Sequence, residues 1–553
     1  GPDEAEHRED VREAVLRRVR RWFEERGDEK PRFGDVAPSY VDERFFDFGY
    51  LEDRVEIERV WLDEPFAYAS ICLDPDEDSY SYHVVEPELD DFERHVRADL
   101  GDVIRAVVRD RDLEPEEIRE RFDEIATDLV RENTRELEPG SVWCVYHQLM
   151  RDYAGYGPID PLLHDPEIED ISCDGADVPV YVYHARYRDL PTNVAFGDDE
   201  LDDYTMRLAQ RAGKPISVSD PLVHGSLPDG SRIQLTLGSD VATRGSNFTI
   251  RKFRDIPFTP VELIANNTFS VQAMAYFWLA IENRKSVLFV GPTASGKTTS
   301  MNAVSLFLPP DAKVISIEEM RELAIPHDNW ISNVTRETRT EAGRQDVSMY
   351  DLLGAALHQR PEYLLVGEMR TDPEIVRTFF QSIFTGHPGA STFHAGSVES
   401  AVNRFSSEPL AIEPQLLASL DVISVQKQVF IQDRRVRRNE TVAEIALDDA
   451  GDDVEHETVF DWVPSTDSFR STADLVDESV VLGEIMDERG WDDTRLLQEF
   501  YDRQDVLSYL VEHDVQDYDD VVDVLYRFAR NRDAVMDRIH DTTTGLPSED
   551  RGP

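Results

Sequence analysis

The chain has 553 residues, of which 113 are acidic and 58 are basic, so its formal net charge is −55 at pH 7. Hydrophobic residues make up 40% of the sequence, enough to build sizeable cores, so a wholly disordered chain is excluded. A surface of this charge repels nucleic-acid phosphates and argues against sequence-independent binding of DNA or RNA.

Lysine is scarce as well, since only seven of the 58 basic residues are lysines. An acid excess with few lysines resembles proteins of salt-loving archaea, and an ordinary acidic cytosolic protein is the alternative. The three cysteines lie far apart, which fits a reducing cytosol and predicts neither a disulfide framework nor a zinc ribbon. The most apolar stretch, Ala273 to Ile281, is too short to cross a membrane, so we expect no transmembrane segment. The acidic start without an apolar run predicts no secretory signal.

The patterns in chain order predict an α/β protein built from several segments. Residues 1–145 form a mixed helical and strand region, and residues 146–255 predict a small α+β domain whose strands are broken by Asp-Gly and Pro. Residues 256–455 alternate short apolar strands with helices, which is typical of a buried parallel sheet. Residues 456–553 predict a helical C-terminal appendage, and the proline-containing stretch 253–261 predicts a linker.

The first helical pattern carries a basic cluster on this very acidic chain. Apolar residues recur at helical spacing from Val11 to Phe23, which predicts an amphipathic helix. The arginines on that helix are Arg12, Arg17, Arg18, Arg20 and Arg21. They form either a solvated face or a docking surface for anionic lipid or an acidic partner.

A phosphate-binding loop is predicted where GPTASGKTT fits the pattern G-x-x-x-x-G-K-[ST] between an apolar strand and a helix. Backbone N–H groups at a helix N-terminus point at one spot, where the helix dipole is positive. Lys297 supplies a point charge for the β- and γ-phosphates, Thr298 can hold Mg²⁺, and Thr299 can reach a phosphate oxygen. The candidate ATP-binding residues are Gly291, Pro292, Thr293, Ala294, Ser295, Gly296, Lys297, Thr298 and Thr299.

Hydrolysis also needs a carboxylate that orients water and holds the metal shell. The strand in EYLLVGEMR ends at Glu368, which we assign as a catalytic residue and, with Thr298, as a ligand of Mg²⁺. The strand KVISI ends at Glu318 and Glu319, either of which could accept a proton from the attacking water. In TGHPGASTFHA, His394 follows a short strand and could contact the γ-phosphate. Capping carboxylates, a solvated strand end and a core histidine are the structural alternatives.

Taken together, these motifs resemble the secretion ATPase superfamily, which powers type II secretion, type IV pili, conjugation and archaeal flagella. The matching boxes are GPTASGKTT, SIEEMREL, RPEYLLVGEMR and TGHPGASTFHA, in that order along the chain. The resemblance covers roughly residues 140 to 450 and is best with the archaeal branch of the superfamily. The segment YGPIDPLLHDPEIEDISCDG resembles the N-domain that precedes the ATPase core in that branch. Glu319 departs from the pattern, because Asp usually stands at that position of the box.

The resemblance implies a RecA-like P-loop core, a homo-hexamer and nucleotides bound between subunits. In the family the N-domain lends arginines to the neighbouring subunit's nucleotide, and the matching catalytic candidates are Arg232 and Arg251. Arg336, Arg339 and Arg344 are further candidates for that task. The resemblance also implies an integral membrane platform protein as partner, so we expect a cytoplasmic ATPase that is peripheral to the membrane.

Three classes of function remain open at this stage. A hexameric ATPase for pilus-like filaments or secretion is favoured, with an archaeal flagellum motor as its variant. A nucleic-acid translocase is disfavoured by the charge, and a non-hydrolysing nucleotide switch by the intact Lys297, Glu318 and Glu368. We expect ATP to close the N-domain against the P-loop domain and ADP to release it.

Overall fold

The computed structural model describes residues 2–26, 33–109, 126–128, 130–132, 134, 137–253, 256–336, 346–370, 372–431, 434–448 and 450–540. The chain forms two compact units, Gly1–Phe253 and Arg254–Pro553. Among the helices in the described ranges, none has the length and apolar character needed to cross a membrane.

The first unit is built on a mixed sheet with helices around it. Its α-helices are Pro2–Arg26, Pro38–Tyr40, Asp91–Arg109, Pro139–Leu149, Asp160–His164 and Asp198–Arg211. Single turns of other helix types lie at Val41–Phe45, Gly49–Leu51, Met150–Ala154 and Gly157–Ile159. The strands are β1 Val55–Asp63, β2 Ala67–Asp74, β3 Ser79–Val85, β4 Ile168–Cys173, β5 Pro179–His184, β6 Arg188–Ala195, β7 Leu222–Ser226, β8 Arg232–Thr236 and β9 Asn247–Arg251.

The strands of this sheet follow the order β1-β2-β3-β6-β5-β4-β9-β8-β7. Neighbours are antiparallel except β3 and β6, which meet in parallel at Tyr82 and Thr192. The sheet therefore joins the two segments that the sequence separates at residue 145. All three cysteines, Cys72, Cys144 and Cys173, are buried and unpaired in this unit.

The N-terminal helix Pro2–Arg26 buries its apolar stripe, with Val15 and Val19 fully covered. Its arginines form ion pairs within the chain. Arg18 lies 2.7 Å from Glu64, and Arg20 lies 2.7 Å from Asp42. The predicted amphipathic helix is confirmed, and the pairing favours a structural role over a docking surface for anionic lipid.

The second unit is an α/β domain around a largely parallel sheet. Its α-helices are Pro260–Ala265, Val271–Glu282, Lys297–Val304, Met349–His358, Pro373–Phe384, Val398–Ser406, Pro414–Leu417, Val480–Arg489, Asp493–Glu512, Tyr518–Arg530 and Arg532–His540, with a 3₁₀ turn at Ser305–Phe307. The strands are β10 Val287–Val290, β11 Val314–Glu318, β12 Trp330–Val334, β13 Tyr363–Met369, β14 Gly389–Phe393, β15 Val422–Ile431, β16 Arg434–Leu447, β17 Val454–Val463 and β18 Ser468–Ser471.

The second sheet has the order β12-β11-β13-β14-β10-β15-β16-β17-β18. Neighbours from β12 to β15 are parallel, and β16, β17 and β18 are added antiparallel. Strands β10, β11 and β14 are buried along their whole length, because apolar clusters cover both faces of the sheet. The predicted α/β class and its apolar parallel strands are confirmed.

Two boundaries differ from those expected. The predicted start of the helical appendage, residue 456, falls inside β17, and the helical part begins at Val480. The predicted linker reached residue 261, but a helix already starts at Pro260, where Thr259 and Glu262 form a capping box. Proline at the first helical position is favourable because no N–H is needed there, so Pro260 begins a buried helix.

The C-terminal helices share the hydrophobic core of the α/β part of the second unit. Leu507 and Phe528 belong to the same apolar cluster as Trp278. The guanidinium of Arg503 lies over the rings of Trp278 and Phe528. Its side chain is 4% exposed, and its Nη1 donates to Glu499 Oε2 at 2.7 Å. Its Nη2 donates to Glu282 Oε2 at 2.5 Å, which links helices that are far apart in sequence.

We expect Arg503→Ala to destabilise the second unit by roughly 3 kcal/mol, because it removes a buried guanidinium that pairs with both Glu499 and the partly buried Glu282, although Arg532 stays beside Glu499. Arg495→Ala is the matched control, since Arg495 is half exposed and pairs with the same Glu499. A surface pair of that kind contributes about 0–1 kcal/mol. Denaturant unfolding of the full chain, followed by tryptophan fluorescence, measures both. Equal midpoints for the two variants would contradict the buried-pair account.

Candidate functional site

The predicted phosphate-binding loop connects β10 to the helix Lys297–Val304, which is the strand–loop–helix context that the sequence predicts. The glycines at its two ends are required by space and by backbone conformation. A Cβ at Gly291 would lie 2.4 Å from both the carbonyl oxygen of Gln426 and Ser295 Oγ. Gly296 has φ +93°, in the left-handed region, and directly precedes the helix. The helix N-terminus therefore points its amides into the loop.

A chain of polar contacts leads from this loop to two neighbouring strands. Lys297 is 6% exposed, and its Nζ lies 2.9 Å from the carbonyl oxygen of Pro292 and 3.3 Å from His394 Nδ1. An ammonium group only donates, so His394 Nδ1 accepts and the ring proton is on Nε2. That Nε2 lies 2.9 Å from Glu368 Oε1, to which it donates. Loop lysine, histidine and carboxylate thus form one connected set.

An arginine extends this set to the third strand. Arg370 follows β13, and its Nη2 lies 2.6 Å from Glu319 Oε2. The Nε atom of the same guanidinium lies 3.7 Å from Glu368 Oε2. Glu319 and Glu368 are both partly exposed, with side chains 43% and 33% accessible. Arg370 therefore balances two carboxylates that would otherwise repel each other.

The two adjacent glutamates at the end of β11 have different surroundings. Glu318 is 2% exposed, and its Oε1 accepts from the backbone N–H groups of Glu322 at 2.9 Å and Leu323 at 3.0 Å. A Cβ on Gly367 would lie 3.1 Å from Glu318 Cγ, so the glycine makes room for this side chain. These contacts indicate that Glu318 anchors the turn after β11, whereas Glu319 faces the site.

All of these groups meet at the carboxyl ends of parallel strands. The loop follows β10, His394 follows β14, Glu368 lies near the end of β13 and Glu319 follows β11. In open parallel sheets, ligands bind at this edge. His387, by contrast, precedes β14 and lies at the opposite edge.

The donor set fits a magnesium nucleotide. A glycine-bounded loop at a helix N-terminus and a buried lysine suit a polyphosphate, and the hydroxyl of Thr298 with nearby carboxylates suits Mg²⁺. Thr298 and Thr299 are half-buried in the first turn of the helix. A water molecule positioned for attack would contact Glu368, because the carboxylate of Glu368 is already oriented by His394.

The predicted arginines lie in the first unit, on two paired strands. Arg232 in β8 and Arg251 in β9 are register partners, so their side chains share one face of the sheet. The side chain of Arg251 is 52% exposed and lies 3.9 Å from Asp170. Arg336 pairs through its backbone with Val347, and Arg339 and Arg344 lie outside the described residues.

Sequence reasoning did not single out two arginines near the loop. Arg370 comes two residues after Glu368, within the quoted motif, so its position could have suggested a role. Arg437 in β16 donates from Nε to the carbonyl oxygen of Ala294 at 3.2 Å. Only the pairing of β15 with β16 brings Arg437 to the loop, from more than a hundred residues away in sequence.

Comparisons with known proteins assign most of the chain to two family models. Residues 153–458 match the family model of the type II/IV secretion system protein, and residues 13–88 match the model of the PilB3-like N-terminal region. The first match spans more than half of the chain and includes the loop, Glu368 and His394.

Relatives and solved structures with similar sequences come from archaea and bacteria. An uncharacterized protein of Methanocaldococcus jannaschii is 38% identical over 384 residues, which is 69% of this chain and 68% of that protein. Type IV secretion system protein PtlH of Bordetella pertussis is 30% identical over 232 residues, covering 38% of this chain and 67% of PtlH. The structure of the Legionella pneumophila ATPase DotB is 20% identical, with a TM-score of 0.39, and the match covers 51% of this chain and 78% of DotB.

Proposed function

Because this chain belongs to the type II/IV secretion system protein family, we propose that it is a Mg-dependent ATPase that works as a homo-hexamer. In this proposal ATP hydrolysis drives assembly of type IV pilus-like filaments, or secretion, through an integral membrane platform protein. The ATPase would then act at the cytoplasmic face of the membrane. The observation that carries the proposal is the contact chain from Lys297 through His394 to Glu368.

The residues of the site take distinct roles in this proposal. The loop residues 291–299 bind the phosphates, and Mg²⁺ held by Thr298 and Glu368 would neutralise charge on them. Glu368 orients and deprotonates water, while His394 holds that carboxylate and contacts the γ-phosphate. Glu319 supplies the second carboxylate of the site, and its ion pair with Arg370 holds it close to Glu368.

The test is an ATPase assay at high salt together with identification of the membrane protein that co-purifies with the chain. We expect Mg-dependent hydrolysis that DNA does not stimulate, and a platform protein of a pilus or secretion machine as the partner. Stimulation by DNA would favour a translocase instead. Nucleotide binding without turnover would favour a switch.

An archaeal flagellum motor is the second candidate within the same family. We favour pilus-like filaments because residues 13–88 match the PilB3-like N-terminal model, over the stretch that contains β1, β2 and β3. Purification of the chain with a flagellar rather than a pilus platform would reverse this preference.

We also propose that Arg232 and Arg251 act on the nucleotide of the neighbouring subunit. A hexamer mixed from Arg251→Ala and Lys297→Ala subunits is then expected to recover part of the parent ATPase rate. At some interfaces the Arg251→Ala subunit supplies an intact loop and the Lys297→Ala subunit supplies an intact arginine. ATPase rates across a series of mixing ratios measure the recovery.

The control mixes Lys297→Ala with Glu368→Gln, two residues of the same unit, for which no interface regains a complete site. If Arg251→Ala and Lys297→Ala subunits co-assemble but recover nothing at any ratio, the arginine does not act across subunits.

A further inference from the structure

The hairpin of β15 and β16 extends beyond the strand that leads into the phosphate-binding loop. β10 ends at Val290, opposite Val425, whereas β15 continues to Ile431 and pairs there with the start of β16. The extension therefore leaves the sheet at its carboxyl edge, beside the loop. The approach is close, because the carbonyl oxygen of Gln426 would lie 2.4 Å from a Cβ at Gly291.

One face of this extension is turned toward the loop. Arg437 identifies it, since its Nε donates to the carbonyl oxygen of Ala294 at 3.2 Å. Side chains alternate along a strand and register partners share a face, so Gln428 lies on the same face as its partner Arg437. The next pair on that face is Phe430 and Arg435. Arg435 donates to Gln428 Oε1, a diagonal contact across the same face.

The chemistry of this face suits a flat aromatic ring attached to an anion. Phe430 is 62% exposed, although large aromatic side chains gain most by being covered. Arg435 and Arg437 lie on the same face of the hairpin as Phe430, although the chain as a whole has a net charge of −55. Aromatic rings and guanidinium groups both stack on nucleobases, and guanidinium groups also bind phosphate.

The strand order says which end of a nucleotide would reach the hairpin. Lys297, His394 and Glu368 connect the loop to β14 and β13, on one side of β10. The groups that act on the terminal phosphate therefore lie on that side. β15 lies on the other side of β10, so the base end of a bound nucleotide extends toward it.

We propose that the face formed by Gln428, Phe430, Arg435 and Arg437 is the binding platform for the base and ribose of the nucleoside triphosphate. Phe430 stacks on the base, Gln428 holds Arg435 in place, and Arg437 fixes the phosphate-binding loop through Ala294. This base platform rests on the proposed function, because it presupposes a nucleotide in the loop. It adds the residues that distinguish a nucleotide from a bare polyphosphate.

The experiment compares the binding of ATP with that of inorganic triphosphate by calorimetry, at one salt and Mg²⁺ concentration. Phe430→Ala is expected to weaken ATP binding by roughly fivefold to a hundredfold, the range for loss of one stacked base, and to leave triphosphate binding unchanged. Phe384→Ala is the matched control, because Phe384 is 60% exposed in the same unit, at the end of the helix that follows β13. We expect it to change neither ligand.

A second variant gives a readout that needs no triphosphate affinity. Phe430→Trp is expected to retain ATP binding and to show tryptophan fluorescence that ATP quenches beyond the parent's change. The proposed base platform is wrong if Phe430→Ala weakens the binding of both ligands equally or of neither, and if ATP changes the fluorescence of Phe430→Trp no more than that of the parent. Failure of the proposed function looks different, because ATP would then bind Lys297→Ala as tightly as the parent.

Discussion

Glu368→Gln is expected to bind ATP as the parent does and to hydrolyse it roughly 10²- to 10⁴-fold more slowly, the usual contribution of a positioned general base. The amide keeps the shape of the side chain and can still accept from His394 Nε2, which lies 2.9 Å from the parent carboxylate. It loses the charge needed to take a proton from water and to hold the metal shell. Single-turnover hydrolysis, measured beside equilibrium ATP binding, separates the two steps.

The matched control is Glu374→Gln, the same change on an exposed glutamate of the helix that follows β13. Its rate is expected to equal that of the parent. If Glu368→Gln hydrolyses ATP at the parent rate as well, Glu368 is not the base and the role passes to Glu319.

Lys297→Ala is expected to weaken nucleotide binding by at least about thirtyfold, equivalent to roughly 2 kcal/mol for truncating one partner of a desolvated charge pair. The side chain is 6% exposed and turned into the loop, where its Nζ lies 2.9 Å from the carbonyl oxygen of Pro292. Lys297→Arg is expected to restore little, because the planar guanidinium does not fit where a compact ammonium does. Titration with a fluorescent ATP analogue measures all three proteins.

Lys313→Ala is the matched control for this loss of charge. Lys313 precedes β11, at the edge of the sheet opposite the loop, and its Nζ donates to the carbonyl oxygen of Gln359 at 2.7 Å. We expect Lys313→Ala to bind nucleotide with the same affinity as the parent. Equal weakening in both lysine variants would mean that overall charge, rather than the loop contact, governs binding.

The fold of the second unit was largely predictable because its signals are local. The loop pattern has a fixed spacing, and β10, β11, β13 and β14 are short apolar runs that only a parallel sheet covered on both faces accommodates. The same strands place Glu368 and His394 at one edge. Continuation of the sheet through β17 and β18 was missed, although Val454 to Phe460 alternates in the manner of a strand.

Other features depend on contacts between distant parts of the sequence. Glu318 and Glu319 cannot be told apart from the pattern, because β11 is buried on both faces and alternation does not show which carboxylate turns inward. The link between Arg503 and Glu282 joins residues 221 positions apart, and no local pattern marks it. The place of Arg437 likewise follows from strand register alone.

The burial of the cysteines has a practical consequence for attaching probes. Each thiol lies in the first unit, and burial raises the pKa of Cys72 and Cys173 to about 11 and that of Cys144 to about 12. Thiolates are the nucleophiles that attack maleimides, so at neutral pH these native thiols react slowly. A cysteine placed at exposed Val218 in one unit and another at exposed Tyr501 in the other can be labelled without removing them. Spin-label distances with ATP and with ADP, measured on this native background, then test whether the nucleotide moves one unit against the other.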